Sequence, residues 1–482
     1  MKNLNKHLLI KMGSILIGIM AILCIGIFIL PENDNNKNKS NISDSAQAKI
    51  DINKSSIHNP TFTPYAITQT HNETEIQTEE TTSLNTEQTT TSKTDETTQN
   101  TEATQNIQIT ESSTTQAETT TEEQTAPPIS SPPETTESKI ERILSGLTLE
   151  EKVYQMFIIT PEQLTGAGRV TQAGDATKNA IWKYPVGGLI YFSNNIVNEN
   201  QITSMLSNTQ RYSQDRCGLK MFLCIDEEGG RVARIGNNSS FYVEKFPDMA
   251  YISDESEAYH VGQTIGAYLS KYGFNVDFAP DADVITEERN TVIGTRSFGT
   301  NPLVVSRMAM SVARGLNSKG IMATYKHFPG HGATVGDTHE GFAYTEKTED
   351  ELMQNELIPF SDVARSGSAN MIMVAHISVP NITGDNTPSS LSYKIVTGIL
   401  KEKLGYRGLI VTDALNMGAI SSNYSSGDSA ILAIKSGNDL LLMPKDFNEA
   451  VQTVIQAVRN GEISEERINE SVRKIIRAKL NL

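Results

Sequence analysis

Tryptophan occurs once among the 482 residues, and cysteine three times. Cys24 stands in an apolar N-terminal run, while Cys217 and Cys224 lie seven residues apart, the second inside an apolar stretch. So few cysteines exclude a disulfide-built scaffold and read as buried thiols in a chain that relies on its core. Trp182 precedes an apolar run and fits helix packing better than a stacking platform. Basic residues are outnumbered, 41 against 57 acidic ones, for a net charge of −16. Nucleic-acid binding, which needs a basic face, gains no support. No GxGxxG follows the first strand-like run, so the usual dinucleotide fingerprint is missing. Histidine is scarce as well, eight in all, yet three fall within KHFPGHGATVGDTHEG at 326–341.

Composition divides the chain into three zones. Residues 1–30 hold Lys2, Lys6 and Lys11 and then an uncharged run of 18 residues, Gly13 to Leu30. That length is about the minimum for a membrane-spanning helix. The positive flank places the N-terminus in the cytoplasm and the rest on the extracellular face of the membrane. A cleaved signal peptide is the alternative, but no small-x-small site follows the run, so an uncleaved anchor is expected. Residues 31–138 are rich in Thr, Ser, Glu, Gln and Asn, with 18 acidic residues against five lysines. Such a segment buries too little apolar surface to offset its ordering entropy and is expected to be a disordered stalk. Residues 139–482 have globular composition and a net charge of −6.

In that third zone, near-continuous apolar runs recur: MFIIT (156–160), GGLIYF (187–192), MFLCID (221–226), NVDFAP (275–280), MATYKHF (322–328), MIMVAH (371–376), LIVTDA (409–414) and DLLLMP (439–444). Runs without alternation suit parallel strands covered on both faces. Helical patterns lie between them, such as 256–273, stopped by Gly273, and 351–367, stopped by Gly367. Eight strand–helix units predict an α/β fold, a (β/α)8 TIM-type barrel, with a doubly wound sheet as the alternative. Functional residues then belong at the C-terminal strand ends, where Asp226-Glu227-Glu228, Asp281, Asp283, Lys326-His327, His376, Asp413 and Met443-Pro444 stand. Buried strands that end in charges are unfavourable without partners.

The histidine-bearing stretch has three readings. His327 and His331 have the spacing of a helical zinc pair, but Pro329 and Gly330 between them prevent a regular helix, and no metal is expected. A plain polar turn is the second. The third starts from Asp337 and His339, which share one side of an extended segment. A carboxylate beside an imidazole fixes its tautomer and prepares a general acid/base. A loop with Gly330, Gly332 and Gly336 could carry that pair over a bound substrate. Asp413, on a rigid strand end, supplies a carboxylate nucleophile.

IDEEGGRVARI (225–235), NVDFAPDADV (275–284), IGTRSFG (293–299), KHFPGHG with DTH (326–339) and TDALNMGAI (412–420) together resemble glycoside hydrolase family three. More narrowly, they resemble its single-domain, NagZ-like β-N-acetylglucosaminidase branch, across essentially all of 140–482. The resemblance implies a retaining double displacement, with Asp413 as nucleophile and His339, oriented by Asp337, as acid/base. It implies that Asp226, Arg234, Arg296, Lys326 and His327 bind the terminal sugar, with no cofactor. Ala333 stands where many relatives have Asp, and Thr291 where relatives often have Pro. No second α/β domain is expected after the barrel, which would favour the N-acetylglucosaminidase branch.

The expected substrates are therefore GlcNAc-terminated cell-wall (peptidoglycan) fragments or chitooligosaccharides. The expected membrane contact is through the N-terminal helix. A β-glucosidase or β-xylosidase, a phosphorylase of the same fold, and a non-catalytic wall-binding module are the alternatives. Arg231 fits a strand-end salt bridge, with Glu227 and Glu228 as partners, and a sugar contact equally well, while Asp281 and Asp283 read as loop supports. His376 fits the pocket and the core equally well, and His260 fits the surface.

Overall fold

A computed structural model describes residues 134–482, Glu340 excepted. The expected anchor at 1–30 lies outside the described residues, as does the expected stalk up to residue 133. Among the described residues, no helix is long and apolar enough to cross a membrane. Helix α1 (Thr136–Gly146) starts three residues ahead of the boundary expected at Lys139, because Thr135 caps it by accepting the Ser138 N–H. Helix α2 (Leu149–Gln155) follows.

Eight short strands form one parallel sheet: β1 (Phe157–Ile159), β2 (Gly188–Ile190), β3 (Phe222–Ile225), β4 (Val276–Asp277), β5 (Met322–Phe328), β6 (Met371–Val374), β7 (Leu409–Thr412) and β8 (Leu441–Leu442). Each falls within one of the eight apolar runs. Their order is β8-β1-β2-β3-β4-β5-β6-β7, and one isolated parallel bridge, Val411 to Leu440, joins the two ends. The sheet is thus a nearly closed α/β barrel. Its strands read as unbroken apolar runs because both faces are covered: Phe157, Phe222, Phe278 and Phe328 are fully buried. Each such side chain contributes roughly 1.5–3 kcal/mol relative to exposure.

Helices connect the strands, among them α3 (Asp175–Lys183), α4 (Glu199–Cys217), α5 (Glu255–Tyr272), α6 (Pro302–Asn317) and α7 (Ile358–Ser366). The C-terminal half adds α8 (Ser426–Ser436), α9 (Phe447–Arg459) and α10 (Glu465–Leu480). α5 matches its expected span; Asp254 accepts the Ser256 and Glu257 N–H groups at its start, and Gly273 ends it at φ 104°. The single helix expected over 351–367 is instead two pieces, Glu349–Gln354 and α7. Pro359 explains the break, since its ring clashes with the carbonyl four residues back, at Asn355. The freed turn turns Glu356 inward, where it is fully buried.

α1 docks on α10 through Ile140 and Leu144, both buried, with surface pairs Arg473–Glu141 (2.7 Å) and Arg477–Glu137 (2.6 Å). Exposed pairs of this kind contribute at most about 1 kcal/mol each, so the apolar contacts dominate. Cys217 and Cys224 are free thiols as expected, Cys224 buried but Cys217 only half-buried.

Candidate active site

Asp413 follows the last residue of β7. Its N–H donates to the Val374 carbonyl of β6 at 2.8 Å, and the next two residues are held as firmly. The Ala414 N–H donates to Asp413 Oδ1 at 2.7 Å, and the Leu415 N–H to Leu442 O at 2.8 Å. The carboxylate is therefore pinned between β6 and β8. Burial pushes its pKa up, yet His376, His327, the Ala414 N–H and Lys326 outweigh it and hold the group below the usual range. Burial also keeps both histidines neutral near pH 7, so the amide and the lysine carry the effect there.

The neighbouring strand ends supply charge. Lys326, at the end of β5, donates to Asp226 Oδ1 (3.0 Å) and contacts Glu228 Oε1 (2.6 Å). Arg296 grips the same Glu228 at two points, Nε to Oε2 at 2.8 Å and Nη2 to Oε1 at 2.7 Å. Burial would raise the Glu228 pKa, but Arg296 and Lys326 hold it far below the carboxylate range. A two-point, buried pair of this kind is the strong sort. Arg234 reaches Asp226 Oδ2 at 3.4 Å, and its Nε is buried without a partner. Such an orphaned donor at a cavity wall is available to a ligand.

His327 donates Nδ1–H to Asp283 Oδ2 at 2.7 Å, which directs Nε2 to the Arg296 side. Burial, with Arg296 nearby, lowers its pKa to about 4. Asp283 also accepts the His331 N–H at 2.6 Å. Beside it, burial and the Asp283 charge push the Asp281 carboxyl up to about 7. Donor atoms of Asp281, Asp283 and His327 lie within 4.8 Å of one another, a spacing that could hold a cation. Arg296 stands there already, 3.5 Å from Asp281 Oδ2 and 3.5 Å from His327 Nε2. An added metal would meet the guanidinium.

The loop after β5 is anchored at its root. Thr286 and Glu287 donate backbone N–H groups to Gly332 O, and the Asn290 amide donates to His331 O at 2.7 Å. No side chain fits at Gly332, where a Cβ would lie 2.2 Å from Val284 O. Val335 and Tyr344 exchange backbone hydrogen bonds at 3.3 Å, and the Gly341 N–H reaches Asp337 O at 3.0 Å, which makes the tip a tight turn. That tip docks beside the nucleophile's own segment: Gly418 N–H donates to His339 O (3.2 Å) and Ala419 N–H to Thr338 O (3.1 Å). At the tip, His339 Nδ1 donates to Asp337 Oδ1 at 2.8 Å. Burial raises the Asp337 pKa, but the His339 amide and ring outweigh it and keep the group ionised.

These residues meet. Asp226, Arg234, Arg296, Lys326, His327, His339 and Asp413 all line one cavity of about 360 Å³, together with Glu228. Asp337 stands behind His339. Glu228 was read as a salt-bridge partner of Arg231, whereas it pairs with Arg296 and Lys326. Arg231 instead donates to the Ile293 carbonyl at 2.5 Å. His376 is a satisfied buried residue, bonded to Ser390 Oγ (2.7 Å) and Ala414 O (3.0 Å). His260 is exposed near Glu244. Phe192, Phe278, Asn416, Met417 and Met443 also line the cavity. Met443 is among the strand ends named from the sequence, and the other four were missed; Phe278, Met443 and Phe192 stand one or two residues beyond a strand's last residue, which was the available signal.

The family described as "Glycosyl hydrolase family 3 N terminal domain" matches residues 148–478. Beta-hexosaminidase A of Pseudoalteromonas piscicida is 33% identical over 325 residues, 63% of this chain and 54% of that protein. Beta-hexosaminidase LpqI of Mycobacterium tuberculosis is 28% identical over 358 residues, 73% of this chain and 87% of that protein. Among solved structures, a glycoside hydrolase family 3 beta-N-acetylglucosaminidase from Paenibacillus sp. str. FPU-7 matches with a TM-score of 0.65 and 33% identity. It covers 70% of this chain and 62% of that one. The chain thus spans about half the length of the first of these relatives. A family match that runs from Thr148 near α2 to Ala478 in α10 takes in the whole barrel and every residue placed in the cavity, so the chain belongs to glycosyl hydrolase family 3.

Proposed function

We propose that the chain is an exo-acting, retaining β-N-acetylglucosaminidase that removes terminal GlcNAc from cell-wall fragments or chitooligosaccharides. The observation that carries this reading is that Asp413 and His339, from two separate segments, face the same cavity. Its volume, about 360 Å³, suits one sugar ring rather than a long glycan. The hexosaminidase names of the relatives supply the sugar.

Asp413, ionised, attacks the anomeric carbon. Protonated His339 gives its Nε2 proton to the glycosidic oxygen as that C–O bond breaks, leaving the sugar esterified to Asp413. Neutral His339 then takes a proton from water, whose oxygen attacks the same carbon and frees Asp413. Asp226, Lys326, Arg296 and the unpartnered Arg234 Nε are placed to hold the sugar's hydroxyl and acetamide groups. An imidazole acid/base also favours a second reading. A neutral ring repels incoming phosphate less than a carboxylate, so phosphorolysis competes with hydrolysis.

The architecture proposed around this site is a complete (β/α)8 barrel over 139–482, carried on a stalk (31–138) and a membrane anchor (1–30) at the extracellular face. The test uses the full-length chain on chromogenic aryl β-GlcNAc and β-glucose, with and without phosphate. GlcNAc preference that is lost in Asp413→Asn and does not depend on phosphate supports the proposal. Glucose preference moves the substrate; phosphate dependence moves the acceptor; no turnover of either by folded protein overturns it.

A further inference from the structure

The loop that carries His339 returns with an alternating pattern. Phe342 is 43% exposed, Ala343 is buried, Tyr344 is 49% exposed and Thr345 is buried. In an extended segment, that alternation puts both aromatic side chains on one side. The segment is held extended by the Val335–Tyr344 pair and by a parallel bridge from Tyr344 to Ser378. The two rings line a depression of about 580 Å³ together with Glu346, Ser378, Asn381 and Asn386. Asn381 is itself tied to the Glu346 carbonyl. Two large aromatics are thus left half in water beside amide and carboxylate groups, an apolar surface that a ligand can cover.

Its position names the occupant. An acid that protonates the glycosidic oxygen stands at the border between the sugar removed and the remainder of the glycan. The cavity holding Asp413 takes the first, and Phe342 follows His339 by only three residues, beyond the tight turn closed by Gly341. We propose that Phe342 and Tyr344 form a stacking platform for the pyranose rings on the leaving-group side of an oligosaccharide. Asn381, Asn386 and Glu346 meet its hydroxyls. A sugar ring presents apolar C–H faces to an aromatic plane and polar groups at its edge, which matches a platform rimmed by amides. This inference rests on the glycosidase reading above.

The experiment compares Phe342→Ala and Tyr344→Ala with the full-length parent chain. One arm measures kcat/KM on aryl β-GlcNAc and on N-acetylchitooligosaccharides of increasing length. The other measures chitotetraose affinity by calorimetry in the Asp413→Asn background. Each variant is expected to lose about fivefold to tenfold on oligosaccharides, mostly in KM, and in chitotetraose affinity. Aryl β-GlcNAc turnover should stay within about twofold, because an aryl leaving group lacks the further sugar rings that the platform would hold. Equal losses on aryl and oligosaccharide substrates would overturn the platform and leave the two rings as loop supports. Unchanged chitotetraose affinity would also overturn it. Should the parent fail to turn over any β-GlcNAc substrate, the reading above falls, and the affinity arm still decides this one.

Discussion

Asp337 accepts the Nδ1–H of His339 at 2.8 Å, which fixes the ring so that Nε2 is the nitrogen left for a substrate. The same carboxylate also accepts the His339 backbone N–H at 2.8 Å, so ring and backbone are oriented together.

Asp337→Asn should therefore damage proton transfer more than binding. We expect kcat/KM on oligosaccharides to fall by about 10²–10⁴. The fall should shrink for aryl substrates whose leaving group needs little protonation. The check is a series of leaving groups of graded basicity. A loss that does not vary along the series would mean that Asp337 does not act through the acid.

Glu228 is the charge on which two buried cations depend, Arg296 and Lys326. Replacing it by Gln keeps the shape and removes the anion. Breaking a buried pair from one side costs about 3–5 kcal/mol, so Glu228→Gln should unfold several degrees lower in a thermal melt. It should also bind GlcNAc more weakly. A melting temperature within one degree of the parent would show that water or another anion already serves Arg296 and Lys326.

Gly332 passes so close to Val284 that a Cβ would lie 2.2 Å from its carbonyl oxygen. Gly330 has φ 127°, and a Cβ there would meet Glu356 Cβ at 2.5 Å. Both close approaches set where the loop leaves the barrel, some residues before His339. Gly332→Ala forces backbone to move at a cost of about 1–3 kcal/mol. It should lower kcat by about tenfold or more through displacement of His339. Steady-state kinetics beside a thermal melt separates the two effects. Stability lost with kcat kept would place the loop's geometry downstream of Gly332.

The barrel was legible because its strands are buried on both faces, which turns each into an apolar run bounded by charge. The strand-end rule then led to Asp226, Lys326, His327 and Asp413 before any contact was known. Three things were not legible. Glu228 sits beside Glu227 in one motif, and nothing local tells that Glu228 enters the cavity. Glu227 instead caps a turn by accepting the Arg234, Ile235 and Gly236 N–H groups. The break at Asn355 came from a proline whose clash acts four residues upstream, inside a pattern with good helical period. The cavity's apolar wall of Phe192, Met417 and Met443 carries no charge, and although Met417 lies in TDALNMGAI, only the folded chain brings those residues together. Phe342 and Tyr344 belong to the same class, since exposure is a property of the fold.

The buried cluster of Asp281, Asp283 and His327 makes a pH prediction whose sign is fixed by two opposed shifts. His327 is lowered to about 4 in the folded chain by burial, against roughly 6.5 when unfolded. Its contribution to stability is complete above that upper value and is lost as pH falls toward 4. Asp281 is raised to about 7 by burial and by Asp283, against roughly 3.9 when unfolded. Its folded form holds the proton more tightly, so its contribution is complete below the unfolded value and is lost as pH rises through 7. Between pH 7 and 4 the two terms oppose each other. Asp281→Asn removes only the second, so the variant should lose melting temperature relative to the parent steadily as pH falls from 7 to 4. At pH 8 the difference should be smallest, or reversed, because the parent then carries an ionised Asp281 whose Oδ2 has no hydrogen-bond donor. Melts of both proteins across pH 4 to 8 decide it. Parallel curves would mean that Asp281 is ionised throughout, with Arg296 at 3.5 Å stabilising the charge more than burial opposes it.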